Sequence, residues 1–121
     1  WVLNFEMIHL YIRNPSYTIL IRGIKKYELR LFKGIFKHIK IGDTVYLCNR
    51  DMGLSIKRKV TVTNLIKFPD FEQLLLKLNT KECIVQYSDI EKGLKYMNSI
   101  YSSTLQKKHN CIAIAFTNIL K

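Results

Sequence analysis

Residues Gly23-Ile24-Lys25-Lys26-Tyr27-Glu28-Leu29-Arg30 set one carboxylate among three bases inside a two-residue alternation. Successive side chains of a strand point to opposite faces. Tyr27, Leu29 and Leu31 are therefore expected on one face and Lys26, Glu28 and Arg30 on the other, with Lys25 at the mouth of a turn at Gly23. An acid flanked by bases exceeds what covering a core requires and suits a small polar pocket. Three kinds of chemistry are open to it. As a binding site, Lys25 and Arg30 hold a phosphate or a base edge, and Glu28 accepts from an exocyclic amine such as cytosine N4. As an enzyme, Lys25 polarises a carbonyl and Glu28 activates water, with no covalent route. As scaffold, Glu28 and Arg30 pair only to order the local structure. Lys25, Lys26, Glu28 and Arg30 are thus the candidate ligand-binding residues, and Lys25 and Glu28 the candidate catalytic pair. Neighbouring cations favour the ionised form of Glu28, and a depressed pKa makes a weak general base.

The charge around this stretch is uneven. The chain carries 20 basic against 9 acidic residues, a net +11, which predicts attraction to a polyanion more than it predicts a fold. Residues 1–67 hold thirteen bases against four acids, a net +9, and residues 68–121 only +2. All five arginines lie in the first part, and arginine is the residue that grips phosphate bidentately and stacks on bases. A composition rich in Ile, Lys, Asn and Tyr, as AT-rich genomes encode, accounts for lysines more readily than for segregated arginines. A basic hairpin of Arg50, Lys57, Arg58 and Lys59 is expected either to follow a nucleic-acid backbone or to be a solvated edge that resists sheet aggregation, with Lys33, Lys37 and Lys40 extending it. Phe32, Phe36 and Tyr46 are either core aromatics or base-stacking ones.

Other chemistries find less support. His9, His38 and His109 are too dispersed to suggest a metal site, and the five glycines form no phosphate-cradling loop. Cys48, Cys83 and Cys111 are odd in number and lack a C-x-x-C pair, as expected of reduced thiols in an intracellular protein. The longest apolar run, Cys111 to Phe116, is too short for a membrane span. Neither metal nor cofactor is expected.

The elements that must position these residues follow from the pattern. At 121 residues, 48% of them hydrophobic, the chain fits one domain. Residues 1–8 read as an N-terminal extension and 9–121 as the domain. A first strand runs from Ile8 to about Arg13. Asn14-Pro15 then reads as an N-cap and first helical residue, and Gly23 as the stop of a short helix burying Tyr17, Leu20 and Ile21. Phe32 to Lys40 reads as a loop or single helical turn. Strands follow at Thr44–Asn49 and Ser55–Phe68. Asp70 caps a helix with Phe71, Leu74, Leu75 and Leu78 on its apolar face, and Asn79 to Tyr87 is irregular. Ser88 with Glu91 forms a capping box for a second helix carrying Ile90, Leu94, Met97 and Tyr101. Ser102 to Asn110 reads as a polar loop, and Cys111 to Ile119 as a buried closing strand. Short strands with few helices predict a small α+β domain around a partly closed β-barrel.

Four segments in this order resemble the ASCH family, the activating signal cointegrator homology domains of the PUA-like superfamily. They are G-x-K-x-x-E-x-R as Gly23, Lys25, Glu28 and Arg30; I-K-I-G-D-T-V as Ile39 to Val45; D-F-E-Q-L-L as Asp70 to Leu75; and Ser99-Ile100-Tyr101 before the apolar strand. The resemblance covers nearly all of the chain from His9. It implies a PUA-like barrel with flanking helices, a cleft at the barrel mouth where Lys25, Glu28 and Arg30 gather, and a role with RNA, single-stranded nucleic acid, or a nucleotide or nucleoside. Some bacterial members are amidohydrolases of N4-acetylcytidine with a lysine, a threonine and a glutamate proposed as catalytic. Lys25 matches the lysine, Glu28 stands in the threonine position, and an ungapped count puts Gln86 at the glutamate, with Glu82 reached only through a gap. The sequence therefore points to an intracellular binder of RNA or nucleotide, with a small amidohydrolase as the alternative, and to no membrane partner.

Overall fold

The computed structural model describes residues 8–51 and 57–117. Five strands, β1 (Ile8–Ile12), β2 (Tyr27–Leu31), β3 (Thr44–Asn49), β4 (Lys57–Phe68) and β5 (Cys111–Phe116), form one sheet in the order β1-β3-β4-β5-β2. β1 runs parallel to β3, and the other three pairings are antiparallel. The twelve-residue β4 pairs with β3 through its first half and with β5 through its second, and its register slips between Val62 and Asn64 where the partners change. Such an irregularity bends a strand and sharpens its twist, so the sheet curls into a half-barrel and brings its two edges, β1 and β2, towards each other. The α+β class with a partly closed barrel is as the pattern predicts.

Each face of the curl has its own core. The concave side packs Leu10, Ile12, Val45, Leu47, Val60, Val62, Ile112 and Ile114 around Tyr17 and Leu20 of α1 (Ser16–Ile21). The convex side packs Leu29, Leu31, Ala113 and Ala115 against α2 (Phe71–Lys77) and α4 (Ile90–Ile100). Burial of these apolar faces is the main favourable contribution to the fold. Two further helices are short: α3 (Thr80–Cys83) and α5 (Ser103–His109).

Several boundaries differ from the sequence reading. The α1 N-cap is Pro15, not Asn14, and Asn14-Pro15 is a cis peptide. Asn14 is held instead by its backbone N–H on Asp51 Oδ2 (2.8 Å) and by Thr18 Oγ1, which donates to Asn14 Oδ1 at 2.9 Å. Gly23 stops the helix as expected, with φ of 76°. The α4 cap is Asp89, one residue after Ser88, accepting from the Glu91 N–H at 2.8 Å. Ser102 to Asn110 is not a loop: Ser102 caps α5 and Gln106 is buried within it. Gln106 Oε1 accepts from the Phe71 N–H at the start of α2 (3.0 Å), and Nε2 donates to Asn98 and to the Tyr101 carbonyl (both 2.8 Å). A polar side chain with three partners replaces the apolar stripe that would have signalled this helix. Asn79 to Tyr87 contains α3, one turn long. The closing strand ends at Phe116, and the 118–119 part of its expected span lies outside the described residues, as do the hairpin tip 52–56 and the extension up to residue 7.

Candidate functional site

The end of α1 sets the first member of the site. The Ile19 carbonyl accepts from the N–H groups of both Ile24 and Lys25 (3.0 and 3.1 Å), and the Lys26 N–H donates to the Glu82 carbonyl (2.8 Å). These bonds fix the backbone on either side of Lys25 before β2 begins. In β2 the register pairs Glu28 with Ile114 and Arg30 with Ile112, so both charged residues stand on the concave face, where neighbouring strands carry aliphatic side chains. Tyr27, Leu29 and Leu31 take the convex face.

Lys25 Nζ donates to Glu28 Oε1 at 2.8 Å, and Arg30 Nη2 to Glu28 Oε2 at 3.0 Å. Glu28 is 5% exposed and Lys25 8%, while the Arg30 side chain is 24% exposed. Burial alone pushes the Glu28 pKa up, but Lys25 and then Arg30 outweigh it and hold the carboxyl below its ordinary value. Arg30 Nη2 also donates to the Tyr11 carbonyl of β1 at 2.9 Å. That bond spans the two sheet edges and closes the seam the strand ladder leaves open. The Arg30 guanidinium lies over the Phe36 ring, 5.4 Å from its centroid.

The triad lies in the wall of a cavity of about 480 Å³ between the β1–α1 junction, β2, α3 and α4. Four cations line it, Arg13, Lys25, Arg30 and Arg50, against the single carboxylate of Glu28. Tyr11 and Ile100, 44% and 48% exposed, give it apolar lips. Tyr96 and Tyr101 line the α4 side, and burial holds the Tyr101 phenol above its usual pKa, leaving it a proton donor at neutral pH. Cys83 is also a lining residue, and burial pushes its thiol up to about 12, too high for a thiolate nucleophile. Among the described residues no group of three or more His, Cys, Asp or Glu could hold a metal ion, and no helix is long and apolar enough to cross a membrane.

The structure brings Lys25, Glu28 and Arg30 together but turns Lys26 away. Strand alternation starts only at Tyr27, so Lys26 is exposed, 3.8 Å from Glu82 and over the Tyr27 ring. The basic hairpin also divides. Arg50 joins the cleft. Lys57 covers the Tyr46 ring, 4.6 Å from its centroid, and Tyr46 stacks on His9. Lys59 pairs with Tyr46 across the strands, whereas Arg58 pairs with Leu47 and so alternates to the other face, its charge near the Tyr17 hydroxyl. Lys33 and Lys37 do not extend this strip; they lie near Lys108 and His109, whose pKa is lowered by desolvation and by these cations. Phe32 and Phe36 pack partly into the concave core, Phe32 beneath Lys67 at 4.3 Å. Gln86 lines the cavity, while Glu82 pairs outward with Lys26. Sequence alternation missed Arg13 and Arg50 as cleft residues, since both lie just beyond strand ends; their place follows from the β1–β3 pairing.

No family model matches the chain, and no curated protein matches it at a significant level. Solved structures do match. A crystal structure of hypothetical protein PH0355 superposes with a TM-score of 0.79 at 22% identity, over 92% of this chain and 97% of that one. The solution NMR structure of protein PF0455 from Pyrococcus furiosus gives 0.71 at 21% identity, over 92% and 96%. These likenesses establish a shared fold across nearly the whole domain, and a fold alone does not assign a function.

Proposed function

We propose that the cleft binds a nucleotide, free or within single-stranded RNA or DNA. The observation that carries this reading is the Lys25–Glu28–Arg30 triad, Lys25 and Glu28 buried and Arg30 half-buried, in the wall of a cavity with an excess of cations. Burying such charges is unfavourable unless each is partnered. Glu28 satisfies both cations while leaving a net positive charge, which favours an anion or an electron-rich base edge beside them. Tyr11, Tyr96 and Tyr101 add aromatic surface of the kind on which bases stack. The resemblance to ASCH domains, and through them to the PUA-like superfamily, agrees with this reading, because their shared motif falls on these three residues.

Amide hydrolysis fits less well. Both Glu28 oxygens are engaged, its lowered pKa weakens it as a base, and no hydroxyl nucleophile stands in the place the amidohydrolase members use. Fluorescence anisotropy with single-stranded RNA and DNA oligonucleotides, together with backbone amide shifts, tests the proposal. Saturable binding that shifts the amides of Lys25, Arg30 and Tyr101, and weakens at least tenfold in a folded Lys25→Ala variant, is the expected result. Binding that leaves those amides unmoved, or no binding, rejects it. Incubation with N4-acetylcytidine is expected to release no cytidine above a Lys25→Ala control, and clear turnover would restore the amidohydrolase reading.

A further inference from the structure

The parallel β1–β3 pair ends with Ile12 beside Asn49. One position further, Arg13 stands beside Arg50, and the Arg50 N–H donates to the Ile12 carbonyl at 2.9 Å. The two chain segments are clamped there, since Asp51 Oδ2 accepts the Asn14 N–H at 2.8 Å. Both arginines line the cleft. The ion pairs among the described residues join Lys25 and Arg30 to Glu28 and Lys26 to Glu82, and none of them includes Arg13 or Arg50; the adjacent carboxylate of Asp51 accepts the Asn14 N–H. Two guanidiniums outside these ion pairs, Arg13 and Arg50, line the cavity where β1 and β3 end, while elsewhere in its wall Lys25 and Arg30 share the one carboxylate of Glu28, so the cleft divides into a more strongly cationic part and one whose positive charge is partly offset. Guanidinium groups recognise phosphate with paired N–H donors, better than a point charge does.

From this division we infer that the cleft recognises a nucleoside monophosphate unit, with Arg13 and Arg50 holding the phosphate and the nucleoside lying towards Lys25, Arg30 and Tyr101. The inference rests on the proposed nucleotide reading and deepens it by naming the group that supplies the affinity. A cavity of about 480 Å³ is within the size range of sites for small ligands of this kind. Glu28 then acts as a positioning residue, because both its oxygens are engaged in aiming Lys25 and Arg30. An uncharged nucleoside fills only part of such a site.

Calorimetric titration of the four common ribonucleosides and their 5′- and 3′-monophosphates tests this. At least one monophosphate is expected to bind ten times or more tightly than its own nucleoside, the gain typical of hydrogen bonds to a charged partner. In an R13A/R50A variant, whose folding is checked by circular dichroism, that advantage should fall to within about threefold. The single variants should each lose part of it. Equal affinity for nucleoside and monophosphate, or an advantage that survives in the double variant, overturns the inference. If an oligonucleotide still binds and shifts the Lys25 and Arg30 amides while R13A/R50A behaves as wild type, only the phosphate assignment fails. If neither oligonucleotide nor mononucleotide binds, the proposed function fails with it.

Discussion

Glu28 decides whether the site exists, because it is the one anion holding two cations on the concave face of a strand. Replacing it with Gln keeps the shape but leaves Lys25 and Arg30 without their counter-charge. Breaking a buried pair from one side costs about 3–5 kcal/mol, and with Arg30 partly solvated the lower end is expected. Urea unfolding of Glu28→Gln at pH 7 measures it, and a loss near zero would mean that the carboxylate charge contributes nothing to the fold. The pH dependence has a definite sign. The folded-state pKa of Glu28 lies below its ordinary value of 4.5, so its contribution is complete above that pH and disappears as pH falls through the lowered pKa. The gap between wild type and Glu28→Gln should therefore narrow on acidification below about pH 4.5. A gap that stays constant from neutral pH to pH 2 would contradict an ionised Glu28. At this scale the sequence was informative: the acid among bases at residues 25–30 was visible as a cluster. It did not show that Lys26 would leave the cluster, because the point at which a chain enters β pairing depends on a distant carbonyl, that of Glu82.

Among the elements, α4 and α3 form the cleft wall opposite α1, and their separation is set by Gly93. A Cβ built there would lie 2.9 Å from Thr80 Cγ2 and 3.4 Å from Ile84 Cδ1. Thr80 is buried and β-branched, so it has little room to yield. Gly93→Ala gains roughly 1 kcal/mol of helix propensity but meets an overpacking penalty of about 1–3 kcal/mol. Thermal denaturation should show a net loss of stability, with weaker ligand binding as Cys83 and Ile84 are pushed from the wall; a more stable variant would show that the helices separate freely. The helices with an apolar period, α2 and α4, were legible from sequence because packing repeats every turn. The one with a polar interior, α5, was not, since Gln106 is buried through hydrogen bonds that no local pattern announces. The same limit hid the juxtaposition of Arg13 with Arg50, the second visible in the sequence only as part of a basic hairpin; the two become neighbours once β1 has paired in parallel with β3 across the 36 residues between them.

Across the whole molecule the basic residues fall into separate neighbourhoods. Arg13 and Arg50 belong to the cleft, Lys57 and Lys59 to the strip beside Tyr46, and Lys33, Lys37 and Lys108 to the surroundings of His109. A mononucleotide meets only the first, whereas a longer strand can reach others. The slope of log K against log salt should therefore steepen with oligonucleotide length, by about 0.7 for each further phosphate neutralised on a single strand. A slope that stays flat from mononucleotide to ten-mer would confine recognition to the cleft. The net +11 promised a polyanion but not this partition, which depends on how the sheet curls. That curl has a last consequence. The sheet leaves β1 and β2 unpaired at its two edges, and among the described residues the Arg30 guanidinium reaches across to the Tyr11 carbonyl. Among the described residues the hydrogen bonds of Arg30 run through Nη2, so the proposed ligand would meet Nη1 and Nε beside β1. On the proposed reading, the backbone amides of β1 should exchange with deuterium more slowly once a nucleotide is bound, and unchanged exchange would place the ligand away from this edge.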